Sequence, residues 1–155
     1  FSDTILNNIA VGVEKIDMIK INTAIRIANI YAFINTLPLK LNTKIGLEGV
    51  GLSMGQKQRI LIARSIYKNP DFLFFDEATS ALDATNEAVI NKNLQEVFTN
   101  KTVFIIAHRL STVKNADNII VLENGTIVES GKHNELVDLK GVYFELIKNQ
   151  LELGN

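Results

Sequence analysis

A chain of 155 residues, 46% hydrophobic and 21% charged, has the composition of a folded globular domain and not of a disordered or fibrous segment. Its formal net charge of -1 argues against a nucleic-acid-binding surface, and the absence of cysteine excludes disulfides and thiolate metal sites and fits a reducing compartment. The densest apolar runs, 72–75 and 103–107, are far short of the roughly 20 residues that cross a bilayer, so they read as buried strands.

The chain opens on Phe1, not Met, with no signal-peptide pattern after it, so Phe1 reads as a cut point inside a longer polypeptide. Ile16, Ile19, Ile27, Ile30 and Ile34, with Ala24 and Ala28 between them, line one face of a helix predicted over 16–34 and closed by Pro38. Residues 42–55 hold Gly46, Gly49, Gly51 and Gly55 and read as loop with short extended pieces. Ile60, Ala63 and Ile66 share a face of a helix over about 56–67, which Asn69-Pro70 ends.

A strand over 71–75, a helix over 84–98 and a strand over 102–106 follow, and that alternation predicts a parallel α/β sheet. A further strand at 118–122 runs through Asn124-Gly125, a hairpin turn, into 126–129. Helices at 134–139 and 142–151 close the chain. There is no internal repeat or flexible linker. A boundary is expected near Lys68, between a mostly helical portion, 1–68, and a sheet-bearing portion, 69–155.

The sharpest single feature is Phe72-Leu73-Phe74-Phe75-Asp76-Glu77. Four apolar residues predict a strand buried on both faces, and the two acids then emerge at its C-terminal end, where open α/β sheets bind ligands. Neighbours on an extended chain point opposite ways, so one acid can hold Mg2+, directly or through water, while the other orients or deprotonates a water. Taken alone, Asp76 and Glu77 read equally well as solvated acids at a strand end.

The neighbouring segments decide the weighting. Leu52-Ser53-Met54-Gly55-Gln56-Lys57-Gln58-Arg59 resembles the signature motif of ATP-binding cassette (ABC) proteins, Ser80-Ala81-Leu82-Asp83 resembles their D-loop, and Ala107-His108-Arg109-Leu110 resembles their switch-histidine loop. These elements and the acid pair occur in the family's order and spacing, and the resemblance covers the whole chain. It implies a P-loop NTPase (RecA-like) parallel sheet with an N-terminal helical subdomain, both belonging to one ABC ATPase domain.

The resemblance also implies roles. Ser53, Gly55 and Gln56 would face the γ-phosphate of ATP held by an opposite subunit, and a helix start there offers a hydroxyl and unpaired N–H groups to an anion. The plainer reading of Ser53 is an N-cap, and both can hold together. Met54 departs from the family's usual Gly and adds bulk at a position that a Met cannot readily occupy with positive φ. Asp76 would help hold Mg2+, Glu77 would act on the attacking water, and His108 would bond the γ-phosphate and report its loss. Asp83 would sit where two subunits meet, with an N-cap as its plain alternative. His133, the second of two histidines, reads as local capping at a helix start, and Arg59 and Arg64 read as structural ion-pair partners.

ABC ATPases grip the phosphates of ATP with a loop of the form G-x-x-x-x-G-K-S/T, and no such loop occurs in these 155 residues. Gly131-Lys132, the nearest approach, is followed by His133. The family's adenine-stacking aromatic and its Mg2+-sensing glutamine precede the signature region, and Phe1-Ser2-Asp3-Thr4-Ile5 resembles the stretch just after that glutamine. The chain is therefore expected to carry half of each composite site and to hydrolyse no ATP alone. Three stretches resemble ABC exporters in particular: that first one, Ala107-His108-Arg109-Leu110-Ser111-Thr112, and Gly125-Thr126-Ile127-Val128-Glu129-Ser130-Gly131. They resemble exporters of peptides, lipids or drugs, and within these bacterial types that secrete peptides, more than the alternatives, a soluble ABC protein of DNA repair or translation or an inactive orphan half-site. The expected partners are a second such domain and the transmembrane domains of the transporter, with no nucleic acid. The expected location is the cytoplasmic face of the plasma membrane.

Overall fold

The structure, a computed structural model, describes residues 2–46, 49–76, 82–106 and 113–153. The chain forms two compact units, Phe1–Phe104 and Ile105–Asn155. The first opens with β1 (Asp3–Thr4) and α1 (Ile5–Ile9), whose start Thr4 caps by accepting from the Asn7 N–H at 3.1 Å. Helix α2 (Met18–Ile27) begins at Asp17, whose carboxylate accepts from the N–H groups of Ile19 and Lys20. Helix α3 (Tyr31–Thr36) and a 3-10 turn (Lys40–Asn42) lead to β2 (Lys44–Ile45), which pairs antiparallel with β1.

The single helix expected over 16–34 is two helices. Asn29 takes a left-handed conformation with φ of 50°, the Ile30 N–H bonds back to the Ile25 carbonyl, and the Asn29 N–H bonds to that of Arg26. Those bonds are the closing pattern of a helix with a left-handed residue just past its end, a place that Asn tolerates better than other non-glycine residues. The apolar spacing survives the break, because Ile25, Ile30 and Ile34 all reach the same core.

Helix α4 (Met54–Lys68) starts two residues before the expected 56 and ends at Asn69, left-handed with φ of 49°, as the Asn-Pro pair predicts. It packs on α1 and α2 through Ile60, Ile62, Ala63 and Ile66. Strand β3 (Phe72–Asp76), α5 (Ala84–Phe98) and β4 (Thr102–Ile106) follow. The Thr102 N–H bonds to the Asp71 carbonyl at 3.0 Å and the Phe74 ring stacks on that of Phe104 at 4.9 Å, so β3 and β4 advance together and are parallel.

One expectation about β3 fails. It was to be buried on both faces, yet only Leu73 and Phe75 are buried, while Phe72 is 62% and Phe74 is 74% exposed. Within its unit the inward side chains meet the core that α4 and α5 share, whereas the outward face has no packing layer among the described residues. A strand rich in apolar residues on both sides does not by itself supply the second layer.

In the other unit, β5 (Ile119–Glu123) and β6 (Thr126–Gly131) form the expected hairpin, turning at Asn124 and Gly125, both with positive φ. Helices α6 (His133–Leu139) and α7 (Val142–Leu153) pack Leu136 and Tyr143 against Ile119 and Val121. The Glu129 carboxylate accepts from the N–H groups of Val142 and Tyr143 at 2.6 and 3.0 Å, neutralising the positive start of α7. A Cβ at residue 141 would meet a Glu129 carboxylate oxygen, so a larger residue there would push that carboxylate off the start of α7.

The centre of the first core yields a stability prediction. Ile60 is fully buried among α1, α2 and α4. Ile60→Ala is expected to cost about 3 kcal/mol, read as a lower urea midpoint with an unchanged slope. A loss below about 1 kcal/mol would mean that the surrounding side chains collapse into the space.

Candidate functional site

Residues 53–56 form the first turn of α4. Ser53 Oγ accepts from the Gln56 N–H at 3.2 Å, and Gln56 Oε1 accepts from the Ser53 N–H at 2.9 Å. This reciprocal pair is a capping box, so the N-cap reading of Ser53 is correct as far as it goes. Because Oγ acts as an acceptor here, its O–H can still donate to another group. The N–H groups of Met54 and Gly55 belong to the turn that a helix cannot satisfy internally. The turn therefore remains competent to face an anion while it is capped.

Met54 causes no strain in this setting. It is the first helical residue, it is absent from the positive-φ positions, and its side chain is 63% exposed. The bulk that Met adds beside this turn projects toward solvent.

Arg59 and Arg64 are structural, through carbonyls at helix C-terminal ends. Arg59 Nη1 donates to the Asn29 carbonyl at 2.8 Å, just past the end of α2, and its Nε reaches the Gly55 carbonyl at 3.4 Å. Arg64 Nε donates to the Asn8 carbonyl at 2.7 Å, in the last turn of α1. A cation at such an end offsets the negative pole of the helix. Burial lowers the pKa of Arg59 from the usual arginine value and the Asp83 carboxylate works against that, which leaves the guanidinium charged.

Asp83 caps α5. Its Oδ1 accepts from the Asn86 N–H at 2.9 Å and its Oδ2 from Asn86 Nδ2 at 2.5 Å. These bonds, the backbone one first, hold its carboxyl below the ordinary aspartate range. Asp76 ends β3 with its side chain exposed. Glu77, Ser80, Ala81 and His108 lie outside the described residues.

His133 does not cap as expected. The Lys132 N–H at the start of α6 is taken by Glu135 Oε2 at 2.8 Å, while His133 Nδ1 lies 2.9 Å from the Tyr143 hydroxyl and ties α6 to α7. Two residues with no assigned role in the sequence reading, Asn29 and Asn86, prove central, because Asn29 Nδ2 donates to Asn86 Oδ1 at 2.9 Å. Neither Asn carries a local sign of that role, since the two meet across 57 positions of sequence.

Among the described residues no cluster of three or more His, Cys, Asp or Glu could hold a metal ion. Among the described residues the donor at the end of β3 is the carboxylate of Asp76. That fits Mg2+, which keeps several waters and takes one or two protein carboxylates together with substrate phosphates. An open cleft of about 580 Å³ lined by Lys20, Arg26, Tyr67, Glu96 and Lys101 includes none of the candidate site residues Ser53–Gln56, Asp76 and Asp83. No helix among the described residues is long and apolar enough to cross a membrane.

Comparison with known proteins places these residues in context. Residues 4–80 match the family model described as ABC transporter. The chain is 50% identical over 150 residues to the ATP-dependent lipid A-core flippase of Saccharophagus degradans, covering 97% of this chain and 26% of the flippase. It is 44% identical over 154 residues to ABC transporter B family member 19 of Arabidopsis thaliana, covering 99% of this chain and 12% of that protein. A solved structure of a bacterial Atm1-family ABC exporter with ATP bound superposes with a TM-score of 0.89 at 42% identity, over 97% of this chain and 26% of the exporter. The chain thus spans about a quarter or less of the length of these relatives.

Proposed function

We propose, from the premise that this chain belongs to the ABC transporter family, that it supplies the signature-motif half of a composite ATP site and part of the hydrolytic machinery of an exporter. The observation that carries this reading is the first turn of α4. Ser53, Met54, Gly55 and Gln56 stand at the start of a 15-residue helix that is rigidly packed behind and open in front. The exporter class is supported by relatives of flippase, ABCB and Atm1 type over nearly the whole chain. Residues 1–68 and 69–155 then act as the helical and RecA-like portions of one ATPase domain.

In this mechanism two such domains close face to face on two ATP molecules. Each nucleotide lies between the phosphate loop of one domain and the Ser53 turn of the other. The O–H of Ser53 and the N–H groups of Met54 and Gly55 then meet a γ-phosphate, where a helix start favours negative charge. Asp76 would hold Mg2+, which when bound neutralises charge on the β- and γ-phosphates. Glu77 takes the proton of the attacking water, and His108 bonds the γ-phosphate. Loss of that phosphate removes the contact that spans the two domains and lets them part. Transmembrane domains of the exporter convert closing and parting into movement of a peptide, lipid or drug, with the ATPase on the cytoplasmic face.

The full-length gene product in lipid vesicles is expected to turn over ATP and to stop when EDTA removes Mg2+. The 155-residue chain, which contains no G-x-x-x-x-G-K-S/T sequence, is expected to show no measurable turnover under the same conditions. Equal turnover by the two would overturn the composite-site reading.

A further inference from the structure

The bonds around Asp83 go further than a helix cap requires. A cap uses one side-chain oxygen and one N–H, whereas Asp83 commits both oxygens to Asn86, at 2.9 and 2.5 Å. The Asn86 amide is held from its other side by Asn29 Nδ2, 2.9 Å from Asn86 Oδ1. This fixes its sense, because a flipped amide would set oxygen against carboxylate and NH2 against NH2.

Asn29 is held in turn by the fold. It takes the left-handed position that closes α2, with φ of 50°, and its carbonyl accepts from Arg59 Nη1 at 2.8 Å. Arg59 then reaches back to the Gly55 carbonyl at 3.4 Å, inside the first turn of α4. Asp83, Asn86, Asn29, Arg59 and Gly55 therefore form one unbroken series drawn from three helices. A second strut runs parallel to it, since Asn93 Nδ2 of α5 donates to the Ile27 carbonyl of α2 at 3.2 Å. The Arg26–Glu96 pair across the same helices is at 3.9 Å and largely exposed, so it adds little.

We propose that Asn29 and Asn86 are positioning residues that fix the Asp83 carboxylate and join it through Arg59 to the Ser53–Gln56 turn, so that the two surfaces move as one body. The proposal rests on the ATPase reading above, in which both surfaces face the partner domain. An exposed aspartate otherwise samples several rotamers, and ordering it in advance removes that cost from the closing step. The link also means that a displacement of the signature turn, when its γ-phosphate contact is lost, carries Asp83 with it.

The test compares native full-length gene product with Asn86→Ala, Asn29→Gly, their double variant and Glu77→Gln. Alanine suits a helix interior and glycine suits the left-handed position, so each substitution removes an amide and spares the backbone. Each single variant is expected to lower kcat about tenfold with KM for ATP within about twofold. The double variant should be no worse than the poorer single one, because both break the same series. A merely structural role would instead lower Tm and leave the kcat of the folded protein unchanged, and that result overturns the proposal. So does a double variant whose losses multiply. Turnover that survives in Glu77→Gln faults the catalytic reading, whereas turnover lost there and kept in Asn86→Ala faults the positioning role alone.

A second readout is independent of activity. Amide hydrogen exchange over 53–60 is expected to quicken in Asn86→Ala relative to native protein, although no bond of that segment is made by residue 86. Unchanged exchange there overturns the link.

Discussion

Glu77→Gln is expected to cut ATP turnover of the full-length gene product by about a thousandfold, within the range that loss of a general base produces. The amide matches the carboxylate in size and still accepts a hydrogen bond, so ATP binding and domain closure should persist. What it lacks is the basicity to take a proton from water as the oxygen attacks phosphorus. Closed protein should therefore accumulate with its nucleotide trapped, measurable as radiolabelled ATP that stays with the protein through gel filtration. In native protein the same label should be lost as ADP. Asp76, which precedes Glu77 and ends β3 with an exposed side chain, serves as the internal comparison. If Asp76 holds Mg2+ as proposed, Asp76→Asn should weaken nucleotide retention, whereas Glu77→Gln should strengthen it. Unchanged turnover in Glu77→Gln would assign the water to another group, with His108 the next candidate.

How much of this was legible in the sequence differs from element to element. Local signals were read well. Ser53 caps α4 as its N-cap reading expects, Asn69-Pro70 ends α4, and Asn124-Gly125 turns the β5–β6 hairpin. Each depends on residues a few positions apart. The break at Asn29 was missed because apolar spacing reports which side chains face the core and is indifferent to a change of axis between them. The open face of β3 was missed for a related reason. Apolar character at Phe72 and Phe74 states a preference for burial, and only the packing of a second layer meets it.

Contacts remote in sequence were hidden altogether. Asn29 and Asn86 meet across 57 positions, and Arg59 finds the Asn29 carbonyl across 30. Nothing in the local spelling of either Asn distinguishes it from a solvated surface residue. The chemistry-bearing residues split along the same line. The signature turn, Asp76 and Asp83 have places in the structure, whereas the roles proposed for Glu77 and His108 rest on motif and order alone.

Ser53→Arg, placed in the Glu77→Gln background, is expected to abolish the trapped nucleotide entirely. Ser53 stands exposed at the first turn of α4, and in the proposed arrangement that turn meets the phosphate held by the opposite domain. A guanidinium on a long stem fills the gap before the domains close. The substitution also removes the cap, and loss of a serine N-cap costs about 1 kcal/mol of stability. Ser53→Ala measures that part separately, since it loses the same Oγ–Gln56 bond and adds no bulk. In the Glu77→Gln background Ser53→Ala should still retain ATP, with weaker affinity, and its Tm should fall as far as that of Ser53→Arg. A matched fall in Tm with retention lost only in the arginine variant locates the effect at the surface between domains. Trapped ATP that persists in Ser53→Arg would mean that this helix start does not meet the partner's nucleotide, and the assignment of residues 53–56 would fall with it.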